Sequence, residues 1–171
     1  MNTWPQPTPP NPDLIPGPMP LTAPATSTQL GLTRKKILVV DDSFIIRKTL
    51  MTKLKSSGYD VLEAADGGTA VSIVRRERPD LVLLDLSFPP DVAHGGGVAW
   101  DGFLIMAWLQ RMDEAKNIPI MIVTAGEPEK FKARALKAGA VGFFQKPINN
   151  DELLAAIRRT FGEDAEPSAA G

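Results

Sequence analysis

Short apolar runs, each followed by a stretch of helical periodicity, recur five times in the middle of this chain. The runs are Lys36–Val40, 59–63, Leu81–Leu84, 118–123 and 141–144. In the first, Ile37, Leu38, Val39 and Val40 show no polar alternation, as expected of a strand covered on both faces. Between the runs the spacing changes. Over 43–57, Ile46, Leu50 and Leu54 recur every fourth residue, and Gly58 supplies a stop. Over 67–77, Ala70, Ile73 and Val74 follow a helical period, with Asp66 placed to cap it. Segments 102–112 and 128–138 form the third and fourth helices. The last helix opens with Asn149 and Glu152 in capping-box spacing and closes on Arg158 and Arg159, which suit its C-terminal dipole. Strand and helix in strict alternation imply βαβ units. The expected fold is α/β, a doubly wound parallel sheet of five strands.

In such sheets ligands bind beyond the carboxyl ends of the strands. Those ends carry unusual residues here. Asp41 and Asp42 follow the first strand, Asp85 follows the third, Thr124 the fourth and Lys146 the fifth. Three neighbouring carboxylates raise one another's pKa unless a cation compensates. Mg²⁺ takes carboxylate oxygens and accepts phosphate as a further ligand. Lys146 adds a positive charge, so the set suits phosphoryl transfer, where positioning and charge neutralisation dominate. Taken singly each residue has a plainer reading: Asp42 as a helix N-cap, Thr124 as a turn residue, Lys146 as a solvated charge. The signal lies in their coincidence at successive strand ends.

Composition narrows the alternatives. With 43% hydrophobic residues the chain can build a real core, and a formal net charge of −1 argues against direct binding of nucleic acid. Having no cysteine, it can form neither disulfides nor thiolate metal sites. No apolar run approaches the roughly 20 residues that span a bilayer, and the start lacks a signal-peptide pattern. A cytoplasmic protein without membrane insertion is the expectation.

The pieces "VVDDS", "PDLVLLDLSFP", "DGF", "IPIMIVTA", "ALKAGAVGFFQKP" and "DELLAAI" together resemble the receiver domain of two-component response regulators, over about residues 34–162. The resemblance implies a flavodoxin-like sheet of order 2-1-3-4-5. It implies Asp85 as phosphoacceptor, attacking a phosphohistidine of a sensor histidine kinase or phosphotransfer protein. It implies Mg²⁺ held by Asp41, Asp42, Asp85 and the main-chain carbonyl of Ser87. Lys146 and Thr124 would contact the phosphoryl group, Phe143 would be the switch aromatic, and Lys146–Pro147 would be cis. Phe143 lacks a tyrosine's hydroxyl, so an inward bias is expected of it. Ser87 and Gly126 match the two variable positions flanking the acyl phosphate; both are small, so water should reach it and its lifetime should be moderate. The expected role is a stand-alone response regulator, either a phosphorylation-controlled switch of binding to a downstream protein or a phosphorelay shuttle, that catalyses only its own phosphorylation and dephosphorylation.

Some features depart from that pattern or lie outside it. Gly102 stands seventeen residues after Asp85, farther than the family's usual spacing, so an insert occupies about 90–100. It reads either as a tolerated surface loop or as a partner-selecting element anchored by Val98 and Trp100. His94, the single histidine, reads as a solvated loop residue. The third helix is apolar nearly all round, so Met106 or Trp108 needs a cover beyond the sheet, from the insert or from a second subunit in a homodimer. Residues 1–33 hold nine of the 16 prolines and one charge, Asp13, and read as a disordered arm: a linker, or a docking peptide using Trp4, Leu14 and Ile15. Residues 163–171 read as a disordered tail. Lys130, Lys132, Arg134 and Lys137 make the fourth helix basic, either a solvated face or a match for an acidic partner. Two rival functions stand beside the regulator: a degenerate receiver that binds proteins without taking phosphate, and a phosphohydrolase of the haloacid dehalogenase type. The latter wants a second Asp where Ser87 stands.

Overall fold

The computed structural model describes residues 34–87 and 101–163. Expectations for the arm at 1–33, the insert at 90–100 with His94, Val98 and Trp100, and residues 164–171 lie outside them. Five strands and five helices alternate: β1 (Lys36–Val40), α1 (Phe44–Ser56), β2 (Asp60–Ala64), α2 (Gly67–Glu77), β3 (Leu81–Leu84), α3 (Gly102–Arg111), β4 (Ile120–Thr124), α4 (Pro128–Lys137), β5 (Gly142–Gln145) and α5 (Asn150–Phe161). The sheet is parallel throughout, in the order β2-β1-β3-β4-β5. This is the expected doubly wound flavodoxin-like topology.

Successive strand residues face opposite sides, and each side has its own core. Leu38, Val40, Val82, Leu84, Ile120 and Ile122 meet Ala70, Val74, Ile105, Leu109 and Ala135 from α2, α3 and α4. Ile37, Val39, Leu81, Leu83, Met121 and Val123 meet Leu50, Leu54, Leu153 and Ile157 from α1 and α5. Burial on both faces is why β1 after Lys36, all of β3, and β4 up to Thr124 are continuously apolar.

Three strands sit slightly off the expected bounds. β2 starts at Asp60 rather than at residue 59. Tyr59 is spent closing α1: its N–H donates to the carbonyl of Leu54 after the turn at Gly58, whose φ is +94°. β4 starts at Ile120 rather than at 118, because Ile118 N–H closes a turn onto Ala115 and Pro119 has no N–H to give. β5 runs Gly142–Gln145, with Val141 exposed before it. The tail boundary also moves. Glu163 belongs to the fold: its N–H bonds the carbonyl of Arg158, and its carboxylate accepts from the Tyr59 hydroxyl at 2.7 Å. Burial and that carboxylate push the Tyr59 pKa up to about 12.

Caps fix where the helices begin. Asp66 accepts from Thr69 N–H, Asp101 from Leu104 N–H, and Asn149 from Asp151 and Glu152 N–H. The cap of α1 is Ser43, not Asp42, which leaves the Asp42 carboxylate to the rim. On α3, Met106 is covered by the core at 1% exposure, whereas Trp108 is 45% exposed. The basic character of α4 is partly used within the fold: Lys130 pairs with Glu127 at 2.6 Å and Arg134 lies 3.8 Å over the Phe103 ring.

The start of α3 lies against the third strand's end. Gly102 N–H points to the carbonyl of Leu86, and a Cβ at Gly102 would collide with the carbonyl oxygen of Asp85 and the Cα of Leu86. Both obstacles are backbone and cannot swing aside. Gly102→Ala is therefore expected to destabilise the domain by about 1–3 kcal/mol. Urea unfolding of the variant measures this, and an unchanged midpoint would contradict the close approach.

Candidate functional site

The sheet register brings the unusual residues together. Val40 of β1 pairs with Leu84 of β3, so the next residues, Asp41 and Asp85, emerge side by side. Asp85 N–H bonds the carbonyl of Val40 at 2.9 Å, and Asp41 N–H bonds that of Ala64 at 3.1 Å. Thr124 of β4 pairs with Gln145 of β5, and Lys146 N–H returns to the Thr124 carbonyl at 2.8 Å. Four strand ends thus deliver their residues to one rim.

Asp41 and Asp85 are 2% and 3% exposed, so their charges need internal partners. Lys146 supplies them: its Nζ donates to Asp41 Oδ2 and to Asp85 Oδ2, each at 2.6 Å. Main-chain donors take the other oxygens, Ser43 N–H to Asp41 Oδ1 at 2.8 Å and Ser87 N–H to Asp85 Oδ1 at 2.9 Å. Burial pushes the Asp41 pKa above its ordinary 3.8, although the bond from Lys146 pulls the other way. Burial lowers the Lys146 pKa, but its bonds to Asp41 and Asp85 outweigh this and leave it above 10.5. Asp42 is exposed, and Asp41, Asp42 and Asp85 each place a carboxylate oxygen within 4.8 Å of the others. Three hard oxygen donors this close suit a divalent cation such as Mg²⁺.

The Thr124 side chain is fully buried at the same rim. Its Oγ1 accepts from Gly126 N–H at 3.2 Å and lies 3.0 Å from Ser87 Oγ. Phe143, on β5, is half-buried against the core that faces α2, α3 and α4, so it is not turned fully outward. The Lys146–Pro147 bond is cis. Two contacts were not foreseen from the sequence. One is the hydroxyl pair of Ser87 and Thr124. The other is Arg47, which donates to the main-chain carbonyls of Asp41 at 2.7 Å and Asp42 at 3.0 Å. A basic residue in the first turn of a helix, where the dipole disfavours it, was the available signal.

The family description "Response regulator receiver domain" matches residues 37–158. The chain belongs to this family. The receiver domain is 36% identical over 129 residues to sporulation initiation phosphotransferase F of Bacillus subtilis, covering 75% of this chain and 94% of that one. It is 38% identical over 127 residues to the probable transcriptional regulator ycf27 of Porphyridium aerugineum, covering 74% of this chain but only 48% of the relative's length. Among solved structures, the chemotaxis protein CheY4 of Vibrio cholerae matches with TM-score 0.64 at 31% identity, over 74% of this chain and 98% of that one. The receiver domain of sensor histidine kinase PA1611 from Pseudomonas aeruginosa matches with TM-score 0.65 at 27% identity, over 75% and 98%; it has a magnesium ion coordinated in its active site cleft. Receiver domains act with histidine kinases or phosphotransfer proteins. The match places the chain with receivers, and not with haloacid dehalogenase phosphohydrolases. No helix among the described residues is long and apolar enough to cross a membrane.

Proposed function

We propose that this receiver domain takes a phosphoryl group on Asp85 and switches a binding surface in signal transduction. The observation that carries the reading is the Lys146 ammonium bridging two buried carboxylates, with a third beside them. An Asp85 oxygen attacks the phosphorus of a phosphohistidine; the O–P bond of an acyl phosphate forms as the N–P bond breaks and the imidazole leaves with the electron pair. Lys146, held between Asp41 and Asp85, is placed to follow the charge from the carboxylate to the phosphoryl oxygens. Thr124 turns its hydroxyl from Ser87 toward a phosphoryl oxygen. Asp41, Asp42, Asp85 and the Ser87 carbonyl would hold Mg²⁺, which when bound neutralises charge on the transferring group.

The phosphoryl group adds about −1.5 to −2 charges. Drawing Thr124 and Lys146 toward it shifts the ends of β4 and β5, and so the groove of about 260 Å³ lined by Pro128, Lys132, Phe143 and Pro147. That groove is the proposed readout for a downstream protein. Hydrolysis of its own acyl phosphate is the only other reaction in this reading, and a cytoplasmic setting belongs to it. A direct test is incubation with acetyl phosphate. Magnesium-dependent incorporation of phosphate supports the reading; none with magnesium in excess would leave a phosphorylation-independent adaptor.

The donor also needs a surface. Phe44 and Ile45, in the first turn of α1 beside the rim, are 62% and 73% exposed. Large apolar side chains left in water next to a reactive site are a natural contact for a donor protein. The double variant Phe44→Ala, Ile45→Ala is expected to lower kcat/KM for transfer from a phosphohistidine protein by about tenfold or more. Labelling by acetyl phosphate should stay within about twofold, because no donor surface is involved. Equal losses with both donors would contradict the assignment.

A further inference from the structure

Arg47 stands where a helix disfavours a cation. It is the fourth residue of α1, near the positive end of the dipole, and its side chain is only 12% exposed. Its compensation is specific. Nη1 donates to the Asp41 carbonyl at 2.7 Å and to the Asp42 carbonyl at 3.0 Å. Nε lies 3.6 Å from Glu63 Oε2 on β2, a buried oxygen that accepts no hydrogen bond among the described residues. Glu63 Oε1 accepts from Lys48 at 2.9 Å. A local conflict of this kind marks a residue kept for its site.

We propose that Arg47 is a positioning residue for the metal-binding carboxylates, anchored by Glu63. It clamps two successive carbonyls at the point where β1 gives way to α1. A fixed carbonyl sets its peptide plane, and that plane constrains where the adjoining side chain leaves the backbone. Holding both planes keeps the carboxylates of Asp41 and Asp42 converged with that of Asp85. The guanidinium fork suits the task, since a point charge lacks its fixed geometry. This inference rests on the reading of that trio as a Mg²⁺ site.

The test is a titration of the full chain with MgCl2 by calorimetry, together with the melting temperature with and without the metal. Arg47→Ala is expected to weaken Mg²⁺ binding about 10–100-fold, the usual cost of losing an outer-shell partner, and to shrink the rise in melting temperature that Mg²⁺ produces. Glu63→Ala, which removes the anchor together with the ion pair to Lys48, should weaken binding less than Arg47→Ala. It serves as the deciding variant if Arg47→Ala does not fold. Lys48→Ala breaks the Glu63–Lys48 pair without touching the clamp and should bind within about twofold of the wild type. A purely structural role would lower the melting temperature equally with and without Mg²⁺ and leave the affinity unchanged. That result, or equal losses in Glu63→Ala and Lys48→Ala, overturns the inference. A wild-type chain that binds no Mg²⁺ overturns the metal-site reading itself.

Discussion

Replacing Lys146 with methionine is expected to cost about 3–5 kcal/mol of stability at pH 7 in metal-free buffer, as removal of one member of a buried ion cluster does. The side chains of Lys146, Asp41 and Asp85 are 13%, 2% and 4% exposed. Without the ammonium, the two buried carboxylates keep, among the described residues, only the N–H groups of Ser43 and Ser87. The sign of the pH dependence follows from the shifts. The Lys146 pKa is raised above 10.5, so its stabilising contribution is complete below 10.5 and is lost as pH rises through the folded-state value. The Asp41 pKa is raised above 3.8, so its contribution falls as pH rises from 3.8 through the folded value. The variant deprives Asp41 of its strongest lowering partner and lifts that value further. The gap between wild type and variant should therefore be widest near neutrality and narrow toward about pH 4 as Asp41 takes up its proton. Excess magnesium should restore part of the loss at pH 7, because a cation then occupies the carboxylate cluster. Urea unfolding at both pH values measures all of this. A gap independent of pH would mean that Lys146 acts through packing of its stem rather than through charge.

Asp85→Asn is the change expected to remove function most completely. An amide of nearly the same shape fills the space, but its oxygen is not a nucleophile toward phosphorus. Phosphate incorporation should fall to background with any donor. The fold should survive, since Lys146 keeps Asp41 as its partner at 2.6 Å and the Ser87 N–H keeps an oxygen acceptor. The loss of stability is expected to stay within about 2 kcal/mol. Labelling that persists in a folded Asp85→Asn variant would move the phosphoacceptor elsewhere.

The fold and the acidic rim were legible for one reason. A parallel sheet buried on both faces writes itself as apolar runs, and a doubly wound sheet assembles its site at the ends of those runs. Asp41, Asp42, Asp85, Thr124 and Lys146 each close or follow such a run, so their meeting needed only the topology. What was missed depends on atoms that meet across elements. Ser43 caps α1 in place of Asp42 because the helix starts at Phe44, one residue later than a cap at Asp42 requires. Tyr59 reads as a strand residue by type, yet its ring lies near Phe161 and its hydroxyl bonds Glu163, contacts 102 and 104 positions away in the chain. The reach of Arg47 to two carbonyls and to Glu63, and of Ser87 to Thr124, likewise depends on where the strands finally lie.

The proposed chemistry is that Asp85, and no other group, becomes an acyl phosphate when magnesium is present. Labelling with acetyl phosphate and Mg²⁺, reduction of the product with borohydride, and mass spectrometry of the peptides test it directly, because borohydride converts an aspartyl phosphate to homoserine. Homoserine is expected at position 85 alone, and none when magnesium is chelated. Homoserine at another carboxylate, or the same yield at position 85 without magnesium, would contradict it.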